Sequence, residues 1–311
     1  MIDFNVYDIE ISDIQESHYD LSIFSCGYEA RCVALPNRIA FSSVGDVLVL
    51  AFSNHDDEVY KSNFDYYVKS FPDDVVQMDK DHEIKIYQEL KRRLSSCEGQ
   101  DIKILIDYSS MTRGWYSAII NYFRNVKLYG SVTIHFVYAS GIHDKAFEKR
   151  TIKGVSCLPG CEGGTIRPKK SIALLGLGFD SYAPFYVLDK LEADDIYAYI
   201  ADPGVENGYA ERAYEVNRPI IEEFIKEPNH LLHLPLRSVR IAFRYMTEVI
   251  SPFLGSCSIS FVPFGPKPHV LASILAALAY PEVSCLHVET SHSSPHPVAF
   301  SGEFVCTALE M

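Results

Sequence analysis

Two segments of this sequence each run from a buried strand through a short polar turn into an apolar helix. The first, Asp101–Phe123, reads DIKILIDYSSMTRGWYSAIINYF, and the second, Ser258–Tyr280, reads SISFVPFGPKPHVLASILAALAY. An apolar run that ends in a polar turn and continues with helical periodicity is typical of a parallel α/β sheet. Such sheets bind anions and nucleotides where a strand passes into a helix amino terminus. The pattern therefore predicts both a fold class and a place for a site.

Strand and helix patterns alternate along most of the chain. Apolar runs predict strands at 19–25, 46–52, 102–108, 131–140, 171–177, 195–201, 230–234, 258–264 and 283–289. Helical patterns of about ten to fifteen residues separate most of these runs, which favours βαβ units and mostly parallel sheets. The segment after the first run is predicted to be helical through residue 40, and Asn54 or Asp56 is predicted to cap the helix after the second run. A chain of 311 residues has room for two domains. We predict an α/β protein with two Rossmann-like parallel-sheet domains related by internal duplication.

The predicted domain bounds follow the change in composition near the middle of the chain. Residues 1–140 are predicted to form the first Rossmann-like domain and residues 171–311 the second, with an edge strand over 303–308. Residues 141–170 are rich in Gly, Pro and Lys without a sustained period, which predicts a connector. Cys157 and Cys161 lie in it without the second ligand pair of a zinc site. We predict no metal site and no cofactor.

Charge and cysteine content exclude several classes of partner. The formal charge of −13 argues against a general nucleic-acid binder, since such binding depends on neutralising phosphates. The amino-terminal sequence MIDFNVYDIEI has no basic region or long apolar run, so no signal peptide is predicted, and no segment predicts a membrane span. The eight cysteines show no disulfide framework. We expect a cytoplasmic protein whose partner is a small molecule, with no membrane and no bulk nucleic acid, and with a protein partner as a further possibility.

The turn of the first segment carries hydroxyls and a cation at a helix start. Ser109, Ser110, Thr112 and Arg113, together with backbone N–H groups, are candidates to bind phosphate or carboxylate oxygens. The alternative is that Ser110 or Thr112 caps the helix while Arg113 pairs with a surface acid. Asp107, at the end of the strand, is a candidate acid–base group.

The turn of the second segment offers a cation at the matching position. Gly265, Lys267 and His269 are candidate ligand-binding residues, because two prolines hold the lysine in an extended frame at the helix start. The alternative is an exposed rigid loop.

A third turn, Gly27-Tyr28-Glu29-Ala30-Arg31, follows the first predicted strand. Gly27 and Arg31 are candidate ligand-binding residues. Glu29 is a candidate general base or acceptor for a ribose hydroxyl, and Tyr28 is a candidate positioning group. The alternative is a Glu–Arg pair in the first turn of a helix.

Acidic and glycine-containing turns follow two strands of the second half. Gly176, Gly178 and Asp180 form a G-x-G pattern that lacks the third glycine of a dinucleotide fingerprint. Asp202 follows the next strand, where ribose-binding acids occur in Rossmann domains, although helix initiation explains it equally well. The sequence contains no G-x-S-x-G, Walker A or H-E-x-x-H motif.

Two of these stretches resemble a known family. IDYSSMTRGWYSAI is similar to the strand-then-small-polar-turn motif of CARF-type domains, and FVPFGPKPHVLASIL looks like a second copy. CARF domains are Rossmann-like sensors of cyclic oligonucleotides in prokaryotic antiviral defence, and SAVED proteins fuse two CARF-like units in one chain. The turns lack the glycine-rich T-G-G-T-K form of that family. The resemblance implies a tandem ligand-sensing architecture.

Three functions are compatible with these residues. The first is binding of a nucleotide-type ligand in a cleft between the two lobes, with Arg113 and Lys267 on its phosphates. The second is hydrolysis of a nucleotide phosphodiester or N-glycosidic bond in the same cleft, with Glu29, Asp107 or Glu206 as the acid–base group. The third is a protein-interaction subunit of a defence complex.

Overall fold

The computed structural model describes residues 4–53, 55–142, 151–164, 170–290 and 298–311. These residues form thirteen β-strands and eight α-helices. The strands are β1 (Asn5–Ile9), β2 (Leu21–Cys26), β3 (Asp46–Phe52), β4 (Val75–Met78), β5 (Ile102–Asp107), β6 (Val132–Ile142), β7 (Ile152–Glu162), β8 (Lys170–Gly176), β9 (Asp195–Ala201), β10 (Leu231–Leu234), β11 (Cys257–Pro263), β12 (Val283–Thr290) and β13 (Ala299–Glu310). The helices are α1 (Ile11–Glu16), α2 (Glu58–Ser70), α3 (Glu83–Arg93), α4 (Arg113–Asn125), α5 (Tyr182–Leu191), α6 (Tyr209–Phe224), α7 (Val239–Ile250) and α8 (Lys267–Ala279).

The described residues divide into two compact units. The N-terminal unit comprises those in 4–142 together with 298–311, and the C-terminal unit comprises those in 151–290. This division differs from the predicted bounds in two places. The predicted connector contains a strand, β7, that belongs to the C-terminal unit, and the end of the chain belongs to the N-terminal unit.

Each unit contains a sheet with the same order of five parallel strands. The N-terminal sheet has the order β4-β3-β2-β5-β6, and the C-terminal sheet has the order β10-β9-β8-β11-β12. In both, the parallel strand that comes first along the chain, β2 or β8, is central. The order reverses between it and the fourth parallel strand, β5 or β11, as in Rossmann-like sheets. The predicted α/β class with two Rossmann-like domains is confirmed.

An antiparallel strand extends each sheet beyond its fifth parallel strand. β7, which follows the N-terminal unit's fifth parallel strand, pairs with β12 of the C-terminal sheet. β13, which follows β12, pairs with β6 of the N-terminal sheet, and β1 pairs with β13 at the edge. The last strand of the chain therefore belongs to the N-terminal unit, whereas the C-terminal unit begins with its antiparallel strand.

The cores form because the parallel strands are apolar on both faces. All six residues of β2 are buried, and so are all residues of α8 from Pro268 to Ala279. Near-continuous apolar runs of this kind are expected where helices cover both sides of a sheet. Aromatic packing reinforces the N-terminal core, where Phe24 stacks on Phe71 with ring centres 5.9 Å apart.

Local structure differs from the sequence-based expectation in two places. The segment after β2, predicted to be helical through residue 40, forms only short 3₁₀ turns at Ala30–Val33 and Phe41–Ser43. The cap of α2 is Asp57, whose Oδ1 accepts a hydrogen bond from the backbone N–H of Tyr60 at 2.8 Å. The two residues predicted for that cap are Asp56, which pairs with Lys61, and Asn54, which lies outside the described residues. None of the helices in the described ranges is long and apolar enough to cross a membrane.

Candidate functional site

Two predicted turns meet at the carboxyl edge of the N-terminal sheet. β2 and β5 are neighbours at the point where the strand order reverses, which is the usual ligand position in open α/β sheets. A Cβ placed on Gly27, after β2, would lie 2.8 Å from the Cβ of Ser110, after β5. Only glycine permits this approach, so the sequence brings the two turns into direct contact.

The end of β5 is tied to β6 through Asp107 and Ser109. Asp107 Oδ1 accepts hydrogen bonds from the N–H of Ser109 at 3.0 Å and from its hydroxyl. Ser109 Oγ in turn accepts from the N–H of Ala139 at 2.8 Å. Asp107 is 2% exposed and Ser109 is fully buried. The two residues therefore form a buried polar link beneath the turn.

Arg31 continues this link from β6 to the turn after β2. Its Nη1 donates to the carbonyl of Ala139 at 2.9 Å, its Nε donates to Glu29 Oε2 at 2.8 Å, and it lies 5.0 Å from the ring centre of Tyr138. Only 3% of Arg31 is exposed. Burial alone would lower the pKa of Arg31, but Glu29 and Tyr138 raise it above its usual value, so the guanidinium stays charged.

We call Glu29, Arg31, Asp107, Ser109 and the backbone of Ala139 the carboxyl-edge network. It joins the turns after β2 and β5 to strand β6 through consecutive hydrogen bonds. Glu29 and Arg31 form the ion pair that was the alternative interpretation of these residues. The network fixes the floor of the edge, because a buried polar group is stable only when its partners are in place.

Helix α4 starts above this network. Thr112 is its N-cap and accepts a hydrogen bond from the N–H of Trp115 at 3.2 Å. Arg113, the first helical residue, is partly exposed and has no ion-pair partner among the described residues. Ser110 Oγ is buried and finds no hydrogen-bond acceptor or donor within the described part of the chain. Glu83 Oε1 would lie 2.7 Å from a Cβ on Gly114, so a carboxylate borders this helix start.

Aromatic rings lie beside the same edge. Tyr28 stacks on His55 with ring centres 5.2 Å apart, and Phe52, the last residue of β3, stacks on Trp115 at 4.6 Å. Tyr28, His55 and Phe52 are partly exposed. Flat rings next to a helix amino terminus provide both a stacking surface and an anion-binding end.

The corresponding turns of the C-terminal unit close more tightly. The N–H of Phe264, after β11, donates to the carbonyl of Gly176, at the end of β8, at 2.7 Å. A Cβ on Gly178 would lie 2.8 Å from the carbonyl oxygen of Phe264, and one on Gly176 would lie 2.6 Å from the ring of Tyr199. Gly265, next to Phe264, faces the backbone of Leu177. These glycines serve close packing between the loops.

The remaining candidates of the C-terminal unit have local partners. Asp180 Oδ1 accepts from the N–H groups of Tyr182 and Ala183 at the start of α5. Asp202 Oδ2 lies 2.8 Å from His233 Nδ1. Lys267 is the first residue of α8, which matches the place of Arg113 in α4.

His269 corrects the expectation of a ligand-facing histidine. It is 1% exposed, and its Nε2 lies 3.4 Å from the carbonyl oxygen of Pro235. Burial lowers its pKa to about 4, so the ring is neutral at pH 7. His269 is therefore a core residue.

Sequence reasoning missed a pair of asparagines that hold the first turn of each unit. Asn63 Nδ2, on α2, donates to the carbonyls of Gly27 at 2.9 Å and Glu29 at 3.1 Å. Asn217 Nδ2, on α6, donates to the carbonyl of Gly178 at 2.7 Å. The signal is present in the sequence as Y-x-x-N, which occurs at both sites.

A cavity of about 710 Å³ lies elsewhere, at the amino ends of β8, β9 and β11, and its lining includes Lys170, Asp195, Lys226 and His230. It does not coincide with any predicted site residue. No group of three potential metal ligands occurs among the described His, Cys, Asp and Glu residues.

Comparisons with known proteins assign no family to this chain. No protein-family model matches the sequence, and no curated protein matches it. Among solved structures, the chain is similar to the cytoplasmic domain of a prokaryotic cation chloride cotransporter, with 11% identity and a TM-score of 0.26 over 87% of this chain and 95% of that one.

Proposed function

We propose that the N-terminal unit binds a nucleotide-type ligand at the carboxyl edge of its sheet. The observation that carries the proposal is the difference between two units with the same parallel-strand order. The N-terminal unit holds a charged, buried network at this edge, and the C-terminal unit closes the equivalent edge by backbone packing.

The residues of the network are not needed to form a sheet of this strand order. Asp107 ends β5, whereas Pro263 ends β11, and two residues later Ser109 corresponds to Gly265. Burying a guanidinium and carboxylates has a desolvation cost that apolar packing avoids. Since the C-terminal unit adopts the same strand order without them, the fold itself does not require them. A rigid, polar floor for a ligand gives them a role.

The groups above the floor suit a phosphorylated ligand that carries a ring. The amino terminus of α4 and the guanidinium of Arg113 attract a phosphate. The partly exposed ring of Tyr28, backed by His55, offers a stacking surface for a base. Together they match the parts of a nucleotide.

Binding is favoured over hydrolysis because two of the candidate acid–base groups, Glu29 and Asp107, already have partners in the network. Glu29 is held by Arg31, and Asp107 is held by Ser109, so both serve the network. The resemblance of the β5–α4 turn to CARF-type domains supports a sensing role. A role for Lys267 on the same ligand, and hydrolysis of that ligand, stay predictions.

Isothermal titration with a panel of mono-, di- and cyclic nucleotides tests the proposal. We expect saturable binding that Arg113→Ala weakens at least about tenfold, equivalent to roughly 1.4 kcal/mol. Lys127→Ala is the matched control, because it removes the same charge from an exposed position beyond the other end of α4. Absence of binding by the whole panel, or equal loss in both variants, would contradict the proposal.

A further inference from the structure

We infer that Asn63 is a positioning residue for the proposed nucleotide site, where it acts through the turn after β2. The inference rests on the proposed function and adds a residue outside the ligand-facing groups. Asn63 lies on α2 and is 5% exposed. The residue has no need to contact the ligand to act in this way.

The side chain of Asn63 binds the turn at two backbone carbonyls. Its single side-chain nitrogen, Nδ2, donates to the carbonyl of Gly27 at 2.9 Å and to that of Glu29 at 3.1 Å. An amide nitrogen carries two hydrogens, so both bonds form at once. They fix the backbone on either side of Tyr28. The orientation of the Tyr28 ring and of the Glu29 carboxylate therefore depends on Asn63.

No long helix follows the turn that Asn63 binds, so regular secondary structure does little to set the conformation of its backbone. The residues that follow it form a 3₁₀ turn of only four residues, Ala30–Val33. The backbone of Gly27 approaches Ser110 closely, and the Arg31 side chain donates to the carbonyl of Ala139. Loss of the asparagine bonds would release the backbone at the point where the carboxyl-edge network begins.

The C-terminal unit contains the same device and supplies an internal control. Asn217 is fully buried on α6, and its Nδ2 donates to the carbonyl of Gly178 at 2.7 Å. The sequences match around both contacts: Gly27-Tyr28-Glu29 corresponds to Gly178-Phe179-Asp180, and Tyr60 and Tyr214 each precede the asparagine by three residues. In the C-terminal unit, however, Asp180 Oδ1 accepts from N–H groups at the start of α5, and the arginine beside the turn, Arg212, is partly exposed and lies over the ring of Phe179. The shared contact therefore serves the fold in both units and the site in one.

Paired isosteric substitutions separate these two roles. Asn63→Asp and Asn217→Asp keep side-chain volume and replace the donating amide by a carboxylate that faces carbonyl oxygens. The probe is adenosine 5′-monophosphate, which carries a base, a ribose and a phosphate, and its affinity is measured by isothermal titration. We expect both variants to lower the melting temperature, Asn63→Asp to weaken binding at least about tenfold, and Asn217→Asp to keep binding within about twofold. Equal loss in both variants, or wild-type affinity in Asn63→Asp, would overturn the inference.

Hydrogen exchange measured without ligand keeps the test independent of the proposed function. Relative to the wild type, we expect Asn63→Asp to speed exchange across residues 27–33 and 108–111, and to leave the turn at residues 178–181 unchanged. If the wild-type protein fails to bind the monophosphate, the proposed function fails, and the exchange data alone decide whether Asn63 holds the turn. Should Asn63→Asp not fold, Asn63→Ser, which retains one donor, takes its place. Unchanged exchange at residues 27–33 in the folded variant would overturn the inference.

Discussion

Replacement of Arg31 by methionine tests whether the carboxyl-edge network is a charged unit. The substitution keeps most of the aliphatic volume and removes the guanidinium, which is 3% exposed. It leaves the Ala139 carbonyl without its donor and Glu29 without its cation. Removing one partner of a buried ion pair costs about 3–5 kcal/mol. Because 16% of the Glu29 side chain is exposed and can gain hydration, we expect the lower end, about 3 kcal/mol.

A second substitution, Glu29→Gln, should change the free energy of unfolding in opposite directions with and without Arg31, which a simple loss of contacts would not do. In the wild type, Glu29→Gln leaves the buried Arg31 cation beside a neutral amide, and we expect a loss of about 2 kcal/mol. In the Arg31→Met background the same change removes an unpaired carboxylate, and we expect a gain of about 1 kcal/mol. The two single changes are therefore strongly non-additive.

Urea unfolding at pH 7, followed by tryptophan fluorescence, measures these free energies in the relevant unit. Trp115 is the only tryptophan of the chain, is fully buried and lies in the N-terminal unit. Arg212→Met is the control: Arg212 lies 4.3 Å from the ring centre of Phe179 in the C-terminal unit, and its loss should leave the Trp115 transition unchanged. A loss below about 1 kcal/mol for Arg31→Met, or destabilisation by Glu29→Gln in both backgrounds, would show that the network is not a charged unit.

Three further predictions concern local contacts and pH. Burial lowers the pKa of His135 from 6.5 to about 4, so the unfolded state binds more protons than the folded state between these pH values. The contribution of neutral His135 to the free energy of unfolding is therefore fully present above about pH 6.5 and falls as the pH drops towards 4. His135→Gln should reduce this fall in urea unfolding followed by Trp115 fluorescence. Gly27→Ala places a Cβ 2.8 Å from that of Ser110, so it should weaken nucleotide binding in titration calorimetry, whereas Gly154→Ala, with no neighbour closer than 3.9 Å, should not. Thr112→Ala should cost about 1 kcal/mol in urea unfolding through loss of the α4 cap, and Thr112→Ser should restore most of it.

The strands were predictable because their signal is local. β3 and β9 occupy the predicted residues, since an apolar run covered by helices on both faces needs no partner information to be recognised. The edge at which the polar turns of the N-terminal unit meet was also predictable, because the carboxyl ends of parallel strands share one edge. The carboxyl-edge network lies at that edge and includes Glu29, Arg31 and Ser109.

The pairings within the edge required the tertiary structure. Arg31 bonds to a carbonyl 108 residues away, and β13 returns from the end of the chain to pair with β6. Neither contact leaves a periodic pattern in the sequence. His269 follows a helix-starting turn much as Arg113 does, yet burial of α8 on all sides removes it from the surface. Asn63 was missed because the Y-x-x-N pattern becomes informative only when the structure places Asn63 and Asn217 at equivalent turns.

Hydrogen exchange with and without adenosine 5′-monophosphate tests the central claim, a ligand site at the carboxyl edge of the N-terminal sheet. We expect the nucleotide to slow exchange at residues 27–31 and 109–116 and to leave residues 176–180 and 264–270 unchanged. Protection confined to residues 264–270, or no protection in either segment at saturating nucleotide, would contradict it.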